Sequence, residues 1–245
     1  MKLALFGYGR MGRAVEEVAK ERGHQITAIL DEFSSPGGSG ITAESMDGAR
    51  VAVDFSTAVA VLPNVCKAAA LGVSVVVGTT GWDDDRAAVE ACVRKAGTGL
   101  LHAPNFSVGM FLFTRLAETA AGLANTMEGY DVHLFEEHHR HKVDHPGGTA
   151  RGLADLLVRG LDSKDGWTEL TPGVAPDPRL LQLSVARVGE NPGMHEIVLD
   201  GPDDRIVLRH EAKNRAGFAR GAVLAAEWLE NRTGIYTMAD LMGQI

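Results

Sequence analysis

A chain of 245 residues is long enough for one large domain or two modest ones, and 45% hydrophobic with 23% charged residues is the balance of a protein that buries a core. A formal net charge of −8 argues against nucleic-acid binding, which needs basic surface against phosphates, and no apolar run reaches the roughly 18 residues of a membrane helix. The two cysteines, Cys66 and Cys92, fall in helix-like segments far from metal-ligand spacing, so they read as structural thiols in a reducing, cytoplasmic compartment.

In chain order, Lys2 to Phe6 reads as a buried strand rather than a signal peptide, because it lacks a cleavage-site pattern and runs straight into glycines. A helix from about Arg10 to Arg22 is closed by Gly23, and Ile26 to Leu30 forms a second strand ending at Asp31, completing a βαβ unit. Residues 33–49, rich in Ser, Gly and Pro, read as a connection with little regular structure. Val51 to Phe55 is a third strand, followed by a helix to about Leu71 in which Pro63 is tolerable only in the first turn. Val73 to Val77, a helix from Asp83 to Ala96, and Gly99 to His102 continue the alternation, which predicts a Rossmann-type doubly wound parallel sheet. After a helix at Val108–Ala124 the rhythm changes. Strand-like segments at Asp131–Glu137, Leu181–Val188, Glu196–Leu199 and Arg205–Glu211 are interrupted by one helix, Thr149–Gly160. Strands without intervening helices predict a second α+β domain with a mixed or antiparallel sheet, covering 108–215, while the helical tail from Ala216 to Ile245 joins residues 1–107.

Gly7-Tyr8-Gly9-Arg10-Met11-Gly12 fits G-x-G-x-x-G after a strand and at the start of a helix. The first glycine makes the tight turn, the second lets a pyrophosphate approach the backbone, and the third lets the helix pack on the strand. Asp31, at the end of the second strand, is placed to grip adenosine ribose hydroxyls. Because Glu32 follows it instead of an arginine, a 2′-phosphate would be repelled, and NADH is favoured over NADPH. Gly78-Thr79-Thr80-Gly81 and His102-Ala103-Pro104-Asn105-Phe106 each close a strand at the sheet edge where α/β ligands bind, although ordinary βα turns would look the same.

The most informative segment runs from Glu136 to Ala150: Glu-Glu-His-His-Arg-His-Lys-Val-Asp-His-Pro-Gly-Gly-Thr-Ala. Four of the nine histidines lie within eight residues, beside Arg140 and Lys142, which concentrates positive charge in an acidic chain. Gly147, Gly148 and Thr149 follow, with Thr149 expected to cap the next helix, whose N-terminus is an anion site. A metal site is disfavoured because H-E-x-x-H spacing is absent, so no metal is expected, and a solvated basic loop remains an alternative.

This segment, from Glu137-His138-His139 through Lys142 and Asp144 to Pro146-Gly147-Gly148-Thr149-Ala150, resembles the signature of the dihydrodipicolinate reductases. Asp54-Phe55-Ser56, Val77 to Gly81, Ala103 to Gly109, Ser184 to Arg187, Gly221-Ala222-Val223 and the tail from Gly234 to Leu241 resemble the same family, so the likeness covers nearly the whole chain. It implies reduction of dihydrodipicolinate, formed from 4-hydroxy-tetrahydrodipicolinate, to tetrahydrodipicolinate with NADH or NADPH, in lysine and diaminopimelate biosynthesis. His138 takes the proton-donor position and Lys142 the neighbouring donor. His139, Gly148 and Thr149 take substrate-binding positions. Gly7 to Gly12, Asp31, Gly78-Thr79-Thr80 and Ala103 to Phe106 take cofactor positions. The family also implies a homotetramer whose central domain holds the small dicarboxylate substrate. Three features depart from the pattern: Gly147 replaces a serine, the Leu30–Asp54 segment is short, and no arginine follows Asp31. Two alternatives stay open, an amino-acid dehydrogenase on the same architecture and a nicotinamide-binding sensor without turnover; only the reductase needs His138 and Lys142 together.

Overall fold

The computed structural model describes residues 1–171 and 173–244, so Pro172 and Ile245, inside the expected domain ranges, lie outside the described residues. It divides into two compact units, Met1–Val108 with Arg215–Ile245, and Gly109–Asn214.

In the first unit, β1 (Lys2–Phe6), α1 (Arg10–Glu21) and β2 (Gln25–Leu30) form the opening βαβ turn, and α2 (Ala43–Met46) leads into β3 (Val51–Asp54). Then come α3 (Ala58–Ala70), β4 (Ser74–Val77), α4 (Arg86–Ala96) and β5 (Gly99–His102). The chain returns after the second unit as α7 (Ala216–Leu229), β11 (Gly234–Tyr236) and α8 (Met238–Met242). The strands pair in parallel in the order β11-β5-β4-β3-β1-β2. Every residue of β3 and β4 is buried, as expected of central strands covered on both faces. Ala4, Phe6, Ala52, Val75 and Val77 meet Val61, Val65 and Ala68 of α3 on one face. On the other side α7 lies along α1 and against β3, β4 and β5. Gly221 permits this: a Cβ there would lie 1.7 Å from the Phe106 carbonyl oxygen.

The second unit contains α5 (Val108–Ala124) from its second residue onward, β6 (Asp131–His138), α6 (Gly148–Gly160), β7 (Gly166–Glu169), β8 (Leu180–Arg187), β9 (Met194–Asp200) and β10 (Arg205–Glu211). Its sheet runs β10-β9-β6-β8-β7 and is mixed: β10, β9 and β6 are antiparallel neighbours, while β6, β8 and β7 pair in parallel. Alternate residues of three strands (Val132 and Leu134, Leu181 and Leu183, Ile197 and Leu199) form one apolar layer under α5 and α6.

Several expectations need correction. Residues 33–49 hold a 3₁₀ turn at Pro36–Gly38 and the α2 turn, which Thr42 caps through the Ser45 amide. Pro63 lies well inside α3 rather than in its first turn. The hydrogen bond it forfeits belongs to the carbonyl of Val59, a residue 84% exposed, where water can take the place of the missing N–H. β7 and β11 were not foreseen, since four and three residues are too few to show a period.

Cys66 and Cys92 are not free thiols: they form a disulfide joining α3 to α4, with Cα atoms 5.2 Å apart. The two helices pack side by side on one sheet face, a proximity invisible in the sequence. The bond closes a loop of 26 residues, for which chain entropy gives about 3 kcal/mol. Reduction should therefore lower the melting temperature by roughly 5–10 °C, leaving kcat unchanged. Calorimetry with and without dithiothreitol checks this.

Candidate active site

The glycine turn between β1 and α1 is built as its spacing requires. Gly7 has φ +84° and its amide donates to the Leu30 carbonyl (2.8 Å). A Cβ on Gly7 would lie 2.3 Å from the Phe55 carbonyl oxygen, and one on Gly12 2.2 Å from the Gly7 carbonyl oxygen. Gly9 has open space around it and is the N-cap of α1 without any side-chain cap, so the first amides of the helix are left for an anion. This fits a dinucleotide pyrophosphate. A cavity of 640 Å³ beside it is lined by Gly7, Tyr8, Gly9, Asp31, Glu32, Phe33 and residues of the short β2–β3 connection. A second, of 450 Å³, is lined by Gly9, Arg10, Met11, Gly78, Thr79 and Thr80. The Tyr8 hydroxyl donates to Glu16, and the Arg13 guanidinium lies 4.7 Å from the centre of the Tyr8 ring.

Asp31 Oδ1 accepts from the amides of Phe33 and Ser34 and from the Ser34 hydroxyl (3.1, 2.9 and 2.9 Å). The Ser34 amide and hydroxyl hold this exposed carboxyl below its ordinary range, so it presents a negative charge to the cavity. Phe55, Ser56 and Thr57 line both cavities. Phe55 and Ser56 carry no cofactor role in the sequence reading and Thr57 is absent from it, although their place at the C-terminal end of β3 was the available signal. Behind them Asp54, fully buried, accepts from the Ser56 amide and hydroxyl, from the Thr79 hydroxyl (2.8 Å) and from the Asn64 amide. The Thr79 side chain thus faces inward and fixes the loop. Ala103, Pro104, Asn105 and Phe106 line neither cavity. Phe106 is buried against Phe55 (6.1 Å between ring centres), and Asn105 Oδ1 accepts from the Ser107 amide.

In the second unit the site grows out of the sheet register. The core-facing row of β6 runs Val132, Leu134, Glu136, His138; that of β8 ends at Arg187, and that of β9 begins at His195. Pairing sets His138 opposite Arg187 and Glu136 opposite His195. The apolar layer therefore turns polar at one end. Glu136 is fully buried. Its Oε1 lies 2.7 Å from His138 Nδ1 and 3.2 Å from Arg187 Nη2, and its Oε2 accepts from the Gly147 amide at 2.8 Å. The His138 contact has ion-pair distance without the alignment of a full hydrogen bond. Burial opposes ionisation of Glu136, but His138, the Gly147 amide and Arg187 outweigh it and hold its carboxyl at about 2. The His138 and His195 rings meet edge to face at 5.4 Å, and burial, then His138, pushes His195 down to about 4, so it is neutral. Arg140, expected beside His138, is exposed near Glu190. The group nearest His138 is a carboxylate, because strand alternation brings residue i−2 to the same face.

Glu136, His138 and His195 offer donor atoms within 4.8 Å of one another, a spacing a metal ion could use. Arg187 shares the same carboxylate oxygen and the Lys142 charge acts on His195, so the local field opposes a divalent cation.

Beyond β6 the chain turns back. Lys142 Nζ lies 2.6 Å from Asp144 Oδ1, and the Asp144 carboxylate is also held by the Gly148 amide. The start of α6 corrects the expected cap: Gly147 occupies the N-cap position, without a side-chain cap, and Thr149 is the second residue of the helix. A Cβ on Gly147 would lie 2.6 Å from Glu136 Oε1 and 3.3 Å from Lys142 Nζ. The glycine that replaces the usual serine therefore lets both groups close around it. His139, whose amide donates to the Asn191 carbonyl, stands at the rim with its ring 5.9 Å from His141.

A dinucleotide cradle in one unit and a buried acid–base cluster in the other define a Rossmann-type oxidoreductase. Family models described as dihydrodipicolinate reductase, N-terminus and C-terminus, match residues 1–106 and 109–242. The chain belongs to the dihydrodipicolinate reductase family. It is 36% identical over 245 residues to the 4-hydroxy-tetrahydrodipicolinate reductase of Christiangramia forsetii, covering 100% of this chain and 99% of that one. It is 37% identical to that of Thiobacillus denitrificans, covering 99% and 98%. A solved dipicolinate-bound dihydrodipicolinate reductase from Paenisporosarcina shares the fold, with TM-score 0.75, 23% identity and 97% of both chains covered. A diaminopimelate dehydrogenase of C. glutamicum matches more loosely, with TM-score 0.55, 13% identity, and 100% and 98% covered. The activity is the family's, a nicotinamide-dependent reduction in diaminopimelate and lysine biosynthesis.

Proposed function

We propose that this chain reduces dihydrodipicolinate, formed from 4-hydroxy-tetrahydrodipicolinate, to tetrahydrodipicolinate, with NADH as the preferred donor and His138 as the proton source. The single observation that carries this reading is the Glu136–His138–Arg187 cluster beside Lys142 and the α6 N-terminus, an acid–base group next to a place already shaped for a carboxylate. Asp144 fills that place here. A substrate carboxylate would take it over, held by Lys142, His139 and the first amides of α6 at Gly148 and Thr149. NADH, when bound, supplies the hydride. Residues Gly7 to Gly12, Asp31, Gly78 to Thr80 and Ala103 to Phe106 belong to its side of the reaction, with Phe106 packed against Phe55. Protonation by His138 then quenches the electron density left on the substrate, work for which histidine is the side chain most often used.

The test is loss of NADH absorbance in a coupled assay that makes substrate from pyruvate and aspartate semialdehyde. Oxidation that depends on both precursors supports the reading, and none at all overturns it. Lys142→Ala should raise KM about tenfold and also lower kcat, because a charge-assisted contact is lost. If steady-state kinetics are unchanged and only the melting temperature falls, Lys142 belongs to a solvated basic loop.

A homotetramer is supported by exposed apolar side chains on the second unit: Leu112, Leu116 and Leu123 on α5, and Ile206 and Val207 on the edge strand β10. Light scattering on the purified protein checks it. No helix among the described residues is long and apolar enough to cross a membrane. A cytoplasmic location follows from the cofactor chemistry proposed here; in such a reducing compartment the Cys66–Cys92 bond would open and leave α3 and α4 held by packing.

A further inference from the structure

We propose that Glu136 is a positioning residue for His138, holding the imidazole so that Nδ1 keeps its hydrogen and Nε2 is the nitrogen that delivers a proton to the substrate. The inference deepens the reading of His138 as proton donor and rests on it.

A carboxylate with no exposed surface is costly unless it is fully partnered. Glu136 is: Oε1 is shared by His138 and Arg187, and Oε2 takes the Gly147 amide. Held at both oxygens, it cannot rotate away. An ionised carboxylate only accepts hydrogen bonds. The Nδ1–Oε1 approach of 2.7 Å lacks the alignment of a full hydrogen bond, but a lone pair on Nδ1 would still be repelled by an ionised oxygen at that range, which places the hydrogen of a neutral His138 on Nδ1. The other nitrogen is kept clear by Gly193. With φ +148°, this residue passes so close that a Cβ would stand 2.7 Å from Nε2. The charged or titratable groups around the ring are Glu136 on its own strand, Arg187 on β8, His195 and His210 on β9 and β10, and Lys142 and Asp144 in the turn that follows. Glu136 is the one in contact with Nδ1, and His195, neutral, does not compete for its charge.

In the step, the Nε2–H bond of the imidazolium breaks and its proton joins the substrate carbon that carries the electron pair left by hydride addition. The imidazole remains neutral with Nδ1–H on Glu136, and solvent reprotonates Nε2.

The experiment compares wild type, Glu136→Gln, Glu136→Asp and His138→Gln. Glutamine offers one oxygen to three donors, and an amide N–H turned on Nδ1 drives the ring to the opposite tautomer. Glu136→Gln should lower kcat about 10–100-fold, the scale of an outer-shell orienting partner, with KM and NADH affinity changed less than about threefold. Glu136→Asp should recover part of the loss. Long-range ¹H–¹⁵N spectra of histidine-labelled protein should show His138 as the Nδ1–H form in wild type and as mainly Nε2–H in Glu136→Gln. The proposal is overturned by an unchanged tautomer, by an unchanged kcat, or by a loss spread equally over kcat, KM and NADH binding. If Glu136→Gln does not fold, the Glu136→Asp spectrum and kcat decide. If His138→Gln alone proves harmless while the tautomer still responds to residue 136, the donor assignment has failed and the positioning has not.

Discussion

Replacing His138 with glutamine should cost about 10²–10⁴-fold in kcat, the usual scale of a general acid, while NADH binding and the fold stay intact. Glutamine is similar in reach and can still donate to Glu136, so the buried carboxylate keeps a partner. It cannot deliver a proton at neutral pH. NADH affinity should be unaffected because the dinucleotide cavities belong to the first unit, where His138 makes no contribution. Steady-state kinetics together with fluorescence titration of NADH separate the two. An unchanged kcat in the folded variant would remove His138 from the reaction.

The second large effect concerns cofactor choice. Asp31 and Glu32 both line the cavity beside the glycine turn, and the Ser34 amide and hydroxyl keep Asp31 ionised. An ionised carboxylate accepts from both ribose hydroxyls of NADH and repels a 2′-phosphate. Glu32→Arg should therefore raise kcat/KM for NADPH by about tenfold or more and leave NADH nearly unchanged, since a like charge becomes an opposite one. Asp31→Ala should weaken NADH most, by about tenfold or more, as charge-assisted hydrogen bonds are lost. Measuring kcat/KM for both cofactors on both variants decides the matter. A wild-type protein that already prefers NADPH strongly would show that a basic residue from another segment faces the phosphate.

What the sequence determined by itself is whatever depends on local pattern. The apolar runs of β1, β3 and β4 and the glycine turn with Asp31 are written in consecutive residues, so the parallel sheet was legible. So was the histidine block, because composition within eight residues needs no folding to be seen. The change of rhythm after α5 announced a mixed sheet, which β6, β8 and β9 form.

Tertiary structure alone decided the rest. Cys66 and Cys92 met because α3 and α4 share one sheet face. Thr149 gave up its expected capping place because α6 begins one residue earlier than its sequence suggests, at Gly148, which leaves Gly147 as the N-cap. Glu136 is the clearest case. Its position two residues before His138 put it on the core-facing row, yet only the register of β6 with β8 and β9 supplied Arg187 and His195, 51 and 59 residues further along the chain. The physical reason is burial. A carboxylate in water carries no assignment, whereas one enclosed by a layer of leucines must find donors, and the donors it found define the site.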